Sequence, residues 1–207
     1  MKRILSLVLV LMLCLSLCAC DSSSTKNSQK DGEEAKAAYN SAIEVYQAVY
    51  NGKFDKIENL LPEKVWTYIA EQDGLTKEEY IDKKVTMNES GFEDQIAYWE
   101  EMVGSDPKVI IKVVDAEKVD ADVVNGVAAA LKQEYGINKS DVKEIYDLIL
   151  KFTLKGEADS VTKPFMNSVV KIDSGWYLIS YQKYDNDHSA TGASGISGYQ
   201  VNFIAPL

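Results

Sequence analysis

The spacing of apolar residues changes once along the chain, near Lys108, and this change limits the fold more than any other feature. Before Lys108, apolar residues recur every three or four positions, which predicts amphipathic helices. After it, the β-branched stretch Val109–Val114 and the alternating stretch Tyr146–Leu154 predict strands, the second with one buried face. Helices followed by mainly antiparallel strands indicate an α+β domain with the N-terminal helices packed on the sheet.

Glycine and capping residues divide the helical part into separate helices. Thr76 and Ser90 are each followed three residues later by glutamate, a capping-box pattern that predicts a helix start at both places. Gly52, Gly74 and Gly104 suit helix ends, since glycine adopts the left-handed backbone there at little cost. The predicted helices are Glu33–Tyr50, Phe54–Leu61, Pro62–Asp73, a segment from Thr76 that contains Tyr80 and Ile81, and Ser90–Val103.

The strand-rich part contains one helical insertion and one hairpin. Asp120–Tyr135 returns to helical spacing before Gly136, so a helical insertion is predicted around residues 120–136. Phe165–Ile172 and Trp176–Tyr181 flank a short glycine-containing loop, which predicts a hairpin. Residues 185–198 are small and polar and are expected to be irregular, and Tyr199–Ile204 is expected to form a last edge strand.

The first twenty residues are typical of an exported lipoprotein. Met1-Lys2-Arg3 is basic, and the apolar run Ile4–Ala19 is shorter than the ~20 residues that span a bilayer. Leu17-Cys18-Ala19-Cys20 resembles the bacterial lipobox, which implies cleavage before Cys20 and a diacylglycerol thioether on its sulfur. Cys18 is the poorer acceptor because bulky Leu17 would then precede the cut. A plain secretory signal, cut after Ala19, is the alternative.

The other cysteines and the next polar residues fit this organisation. Cys14, Cys18 and Cys20 are the only cysteines, so the mature chain would keep one thiol and could form no intramolecular disulfide. Asp21–Asp31 has no apolar residue and is expected to be disordered. The predicted parts are a signal peptide (1–19), a lipidated cysteine with its tether (20–32), a globular α+β domain (33–184) and a Gly/Ser-rich tail (185–207).

The charge of the chain restricts its partners. The net charge is −10, and loss of Lys2 and Arg3 with the signal would make it −12. Such an acidic chain is a poor partner for nucleic acid and for electrostatic docking on anionic lipid. The membrane is therefore expected as a partner through the lipid on Cys20, on the extracytoplasmic side.

The opening helices meet at Asn51-Gly52-Lys53-Phe54-Asp55, and the late strands end in VVKIDSGWYLIS. Over roughly residues 34–183 this arrangement resembles the nuclear transport factor 2-like superfamily. The resemblance implies a curved, cone-like antiparallel sheet that wraps against the helices and forms a pocket. It also implies dimerisation through the sheet face, so a homodimer is an expected state. The insertion at 120–136 departs from the minimal plan of that family.

The residue types argue against a metal site. His188 is the only histidine, and a zinc site would need further imidazole or thiolate ligands. Asp185 and Asp187 lie beside it but lack the glycine and glutamate of a calcium loop. We therefore expect no metal and no cofactor.

Catalytic patterns are also missing from the sequence. It contains no nucleophile motif, phosphate-binding loop or dinucleotide fingerprint. Enzymes of the resembled superfamily place an acidic residue inside the cone, and Asp147 and Asp159, with Tyr146 nearby, are the carboxylates near strand positions. Alternation turns Asp147 away from the Leu148–Phe152 face, so we expect the protein not to be an enzyme.

Aromatic residues supply the candidate ligand site. Trp66, Trp99, Tyr146 and Trp176 could line a pocket, because ligand cavities have aromatic walls with few polar groups. The alternative is that these residues are simply core. The sequence thus favours a lipid-anchored, non-catalytic module that binds a small apolar ligand or a protein partner. A surface enzyme of the isomerase or dehydratase type, using a carboxylate in the cone, is the second hypothesis.

Overall fold

Four α-helices and one 3-10 helix accompany a five-stranded sheet in the part of the chain that the computed structural model describes, residues 25–183 and 198–205, without the side chains of residues 25–35, 37 and 38. The chain divides into two units, Met1–Ala35 and Lys36–Leu207, and every contact given below lies within the second. Cys20 and the residues expected to form the signal peptide lie outside the described residues, as do Asp185, Asp187 and His188.

The helices come first. They are α1 (Thr25–Tyr50), the 3-10 helix (Phe54–Leu60), α2 (Glu63–Gln72) and α3 (Lys77–Val103). Thr76 starts α3 with the expected capping box, in which its side chain accepts from the Glu79 N–H and its own N–H donates to Glu79. Gly52 follows α1 with φ +82°, and a Cβ there would lie 2.6 Å from the Phe92 ring. Both the left-handed backbone and this close approach require glycine.

The helix α1 begins earlier than its apolar spacing predicts. The sequence predicts a disordered tether up to residue 32 and a helix from Glu33, but the helix starts at Thr25. Apolar periodicity marks only the part of a helix that packs on a core. The added residues, 25–32, include two lysines and a glutamine, which favour helix, and each one extends the backbone ladder by a hydrogen bond.

The second predicted capping box is wrong, because α3 continues through it as a single helix. Ser90 donates its hydroxyl to the carbonyl of Met87, the preceding turn, instead of accepting from a free helix-start N–H. Tyr80, Trp99 and Val103 are buried along the whole length of α3. Packing at both ends therefore holds the middle helical despite Ser90 and Gly91.

The sheet is antiparallel throughout and follows chain order, β1-β2-β3-β4-β5. The strands are β1 (Lys108–Lys118), β2 (Val142–Lys155), β3 (Ser160–Ile172), β4 (Gly175–Lys183) and β5 (Tyr199–Phe203). The α+β class, the β3–β4 hairpin and the last edge strand are confirmed, although β1, β2 and β3 are longer than predicted. The insertion is also confirmed as α4 (Ala121–Tyr135), which ends at left-handed Gly136.

Strand alternation gives the sheet two different faces. On the α1 face, the Tyr39 ring of α1 packs against the rings of Tyr146 and Trp176, with centroid distances of 5.7 and 6.2 Å. On the α4 face, helix α4 packs on β5, with the Tyr135 and Phe203 rings 5.5 Å apart. The register places four fully buried aliphatic residues on the α4 face: Ile145, Val170, Ile179 and Val201.

Two amide side chains, one in α1 and one directly after its end, cover the outer edge of β1. Asn51 acts like a neighbouring strand, since its Oδ1 accepts from the Val109 N–H and its Nδ2 donates to the Val109 carbonyl, both at 2.9 Å. Gln47 accepts from the Ile111 N–H at 2.8 Å. These bonds satisfy backbone groups that an edge strand otherwise offers to other chains.

Candidate functional site

A cleft of about 510 Å³ lies where four helical elements meet the start of β4. The register of the β3–β4 hairpin sets the position of Trp176, and the turn between the 3-10 helix and α2 sets that of Trp66. Aliphatic side chains also line the cleft. The lining residues are Ser41, Ala42, Val45, Glu58, Asn59, Leu61, Glu63, Trp66, Lys77, Ile81, Gly175, Trp176 and Tyr177.

The structure brings two of the four sequence-predicted pocket residues to this cleft. Trp66 and Trp176 line it, whereas Trp99 is buried on α3 away from it. Tyr146 does not line it but contacts the Trp176 ring at a centroid distance of 5.7 Å. The four residues therefore do not form one site, and sequence spacing had no means of separating them.

Both cleft tryptophans also belong to the core. Trp66 and Trp176 expose 2% and 8% of their surface. The Trp66 indole N–H donates to the carbonyl of Glu58 at 2.9 Å, which fixes the ring against the 3-10 helix. Trp66 thus has no free polar atom for a ligand, and both rings offer apolar edges held in fixed orientations.

The charged groups of the cleft lie at its solvent side. Lys77 and Glu63 form an ion pair at 3.8 Å in which the Glu63 side chain is 82% exposed. Glu58 and Asn59 are also exposed. Water solvates all these groups, so the cleft combines apolar walls with a polar rim.

Sequence reasoning placed several cleft residues on helices without linking them to a pocket. Ala42, Leu61 and Ile81 lie within predicted helices, and Tyr177 lies within the second strand of the predicted hairpin. No sequence signal shows that the β4 start reaches the junction of α1 and α2. That proximity depends on the long-range register of the sheet.

A cluster of polar side chains lies on the α4 face of the sheet, outside the cleft. The half-buried Asp147 accepts from the hydroxyl of buried Ser168 at 2.6 Å and from the Tyr181 hydroxyl at 3.1 Å. Burial raises the pKa of Tyr181 above its ordinary value, and the charge of Asp147 raises it further. Tyr181 therefore stays protonated at neutral pH and donates to the carboxylate.

The position of Asp147 confirms the alternation argument. Its strand neighbours Tyr146 and Leu148 are buried on the opposite, α1 face. Asp159, the other carboxylate considered from the sequence, is exposed in the β2–β3 turn and accepts from the Ser160 N–H. Neither carboxylate lines the tryptophan cleft.

A second cleft of about 880 Å³ lies beside the β1 edge. It contains none of the four sequence-predicted pocket residues. Gln47 and Asn51 line it but are occupied with the β1 backbone. Three lysines and two carboxylates line it together with the Phe92 ring: Lys53, Lys108, Lys155, Asp106 and Glu157.

No group of three or more histidine, cysteine or acidic side chains suited to a metal ion occurs among residues 25–183 and 198–205. Within the same ranges, none of the helices combines the length and apolar character needed to span a bilayer.

No protein-family model matches the chain, and no curated protein or solved structure is detectably similar to it.

Proposed function

We propose that this protein is a membrane-anchored, extracytoplasmic lipoprotein whose domain binds a small apolar or amphipathic ligand without catalysis. The observation that supports the proposal best is the 510 Å³ cleft, with Trp66 and Trp176 on its walls. Its volume falls within the ~300–1,000 Å³ usual for small-molecule sites, and its apolar walls and polar rim fit the same class.

The ionisable groups favour binding over catalysis. Catalytic acids and bases work in desolvated surroundings that shift their pKa values toward their task. In the Glu63–Lys77 pair at the cleft, Glu63 is solvent-exposed and Lys77 is half-buried. The hydrogen-bonded pair Asp147 and Tyr181, in which the pKa of Tyr181 is raised, lies on the α4 face, and neither residue lines the cleft. An isomerase or dehydratase would need such a pair inside the cleft.

The cone-like architecture is part of this proposal. The contacts of Tyr39 and Tyr50 in α1 with Tyr146 and Phe152 of β2 support a sheet that wraps against the first helix. A curved sheet of the nuclear transport factor 2-like type would have its pocket on that side. The α4 helix, which packs on the other face, would be an addition to that plan.

Anchoring through Cys20 can be tested separately from ligand binding. Cys20→Ser should shift the protein from the membrane fraction to the aqueous fraction, or leave an uncut precursor, because it removes the acyl acceptor. Two acyl chains give stable anchoring, at about 0.8 kcal/mol per buried CH₂. An intact mass without added lipid, measured on membrane-extracted wild-type protein, would contradict the anchor.

Ligand binding can be tested with N-phenyl-1-naphthylamine, a neutral apolar fluorophore. Val45 lines the cleft and is half-buried, so Val45→Trp should fill it and weaken probe binding about tenfold. Val85→Trp, at a half-buried position of α3 outside both clefts, is the matched control. Equal binding by both variants, with both folded by circular dichroism, would contradict the proposal.

A protein partner remains the alternative occupant of the domain's surface. A homodimer is likewise a prediction that light scattering on the purified chain can check. Neither outcome depends on the cleft, so a dimer that also binds the probe is consistent with the proposal. A domain that recruits a protein and never binds the probe would contradict it.

A further inference from the structure

The uncovered part of the α4 face has four lysines in a small area. Lys108 lies directly opposite Lys155 across β1 and β2, and Lys112 lies directly opposite Lys151. Alternation puts both pairs on the same face, separated by the row that contains Ile110 and Thr153. All four lysines are exposed. We call these four residues the lysine quartet.

Placing these lysines directly opposite each other lowers the stability of the folded domain. Like charges directly opposite each other in an antiparallel pair repel, and such pairs destabilise a sheet. Within the described residues, only Lys108 of the quartet has an ion pair, with Asp106 at 2.6 Å. The chain has ten more acidic than basic residues, yet the other three lysines lack a carboxylate partner in that part of the structure.

The row between the two lysine pairs adds hydroxyl groups. Thr153 lies directly opposite Thr162 of β3, and their hydroxyls are 3.0 Å apart. Two residues along a strand span about 7 Å, which the flexible four-carbon stem of lysine can cover. All four ammonium groups can therefore reach one anion above Thr153, and a threonine hydroxyl lies next to it.

We propose that the lysine quartet binds a compact phosphate-bearing group. Phosphate has several acceptor oxygens and up to two charges, which match four ammonium donors and a hydroxyl. An extended polyanion fits poorly, since the negative charge of the rest of the chain would repel it beyond the quartet. The phosphate can come from a soluble compound or from a lipid headgroup.

The first experiment measures thermal unfolding of the full chain with inorganic pyrophosphate, against sodium chloride at equal ionic strength. We expect pyrophosphate to raise the melting temperature of the wild type. The double variant Lys112→Gln/Lys151→Gln should bind about tenfold more weakly, because it loses two charge-assisted donors. The control Lys36→Gln/Lys139→Gln makes the same charge change at exposed lysines elsewhere and should bind like the wild type.

A second measurement uses the repulsion between Lys112 and Lys151. Without phosphate and at low salt, Lys112→Gln/Lys151→Gln should melt at a higher temperature than the wild type, because one like-charge pair is gone. The control variant should not gain stability. This readout also shows that the quartet variant is folded, so a loss of binding cannot be attributed to unfolding.

Vesicles distinguish the two sources of phosphate. Retention on phosphatidylglycerol vesicles, above that on phosphatidylcholine vesicles and lost in the quartet variant, assigns the site to a lipid headgroup. Stabilisation by pyrophosphate with no such difference between vesicles assigns it to a soluble phosphate compound. The proposal is overturned if neither probe distinguishes the quartet variant from its control, or if a DNA duplex binds and pyrophosphate does not.

Discussion

Asn51 joins the last turn of α1 to the edge of the sheet with one side chain. Its side-chain amide forms hydrogen bonds with both the N–H and the carbonyl of Val109. Asn51→Ala would leave these part-buried backbone groups without a partner, so we expect a loss of about 2 kcal/mol in the free energy of unfolding. Asn51→Asp, which keeps the acceptor but puts a carboxylate oxygen against the Val109 carbonyl, should also lower stability. A urea midpoint unchanged in the alanine variant would contradict this role.

The hydroxyl of Tyr46 contrasts with the hydrogen-bonded amide of Asn51. Its hydroxyl is buried and has no hydrogen-bond partner among the described residues. An unsatisfied buried hydroxyl costs stability, so Tyr46→Phe should raise the free energy of unfolding by about 1 kcal/mol. Tyr181→Phe is the comparison, since it removes a bonded hydroxyl and should lower stability. Destabilisation by Tyr46→Phe in urea unfolding would mean that the hydroxyl has a partner.

The predictions at single residues succeeded where one strand or helix determines the answer. Alternation along β2 was enough to turn Asp147 away from the α1 face. It could not show that Ser168 and Tyr181 meet that carboxylate, because these contacts depend on the pairing of three strands. For the same reason, the sequence did not distinguish cleft-lining Trp66 and Trp176 from Trp99.

Among the elements, the unbroken helix α3 can be tested at Gly91. This glycine is inside the helix, and a Cβ there would meet nothing within 4 Å. Gly91→Ala should therefore raise the free energy of unfolding by about 0.5–1 kcal/mol. Gly136 has similar open space but a φ of +68°, so Gly136→Ala should be destabilising.

Both glycine variants can be measured in the same urea titration. If the chain instead broke into two helices at Ser90, alanine at position 91 would bring little or no gain. A denaturant midpoint for Gly91→Ala at or below that of the wild type would contradict the single helix. The Gly136 variant serves as a check that added side-chain bulk is not the cause of any change.

The elements show why capping patterns alone mislead. Thr76 and Ser90 have the same spacing to a glutamate, but only Thr76 follows a chain reversal, at left-handed Gly74. A local pattern marks where a helix can begin, and packing decides whether the chain reverses there. The order and type of the helices and strands were predictable because the spacing of apolar residues stays the same over many residues of each. The strand lengths were not, because they depend on which neighbour is available to pair.

For the whole molecule, buried tyrosines predict sensitivity to alkaline pH. Burial raises the pKa of Tyr46, Tyr135 and Tyr181. Below the unfolded pKa of about 10, the stability linked to these phenols is fully present. Above it, the unfolded chain releases protons that the folded chain keeps, so stability falls as the pH rises toward the folded pKa values.

We therefore expect the urea midpoint to fall between about pH 9 and about pH 12, together with the appearance of phenolate absorbance. Tyr181→Phe should show a smaller fall, because it removes one of the shifted groups. A midpoint that stays constant over this range would contradict the burial of these tyrosines. A fall of equal size in Tyr181→Phe would exclude that residue as a contributor.

The proposed ligand cleft is tested most directly by the indole N–H signals of the three tryptophans in nuclear magnetic resonance spectra. Trp66 and Trp176 line the cleft, and Trp99 is a buried control within the same molecule. On titration with N-phenyl-1-naphthylamine, the signals of Trp66 and Trp176 should shift with one saturating curve while that of Trp99 stays in place. Movement of Trp99 alone, or no movement of any of the three, would contradict a binding site in this cleft.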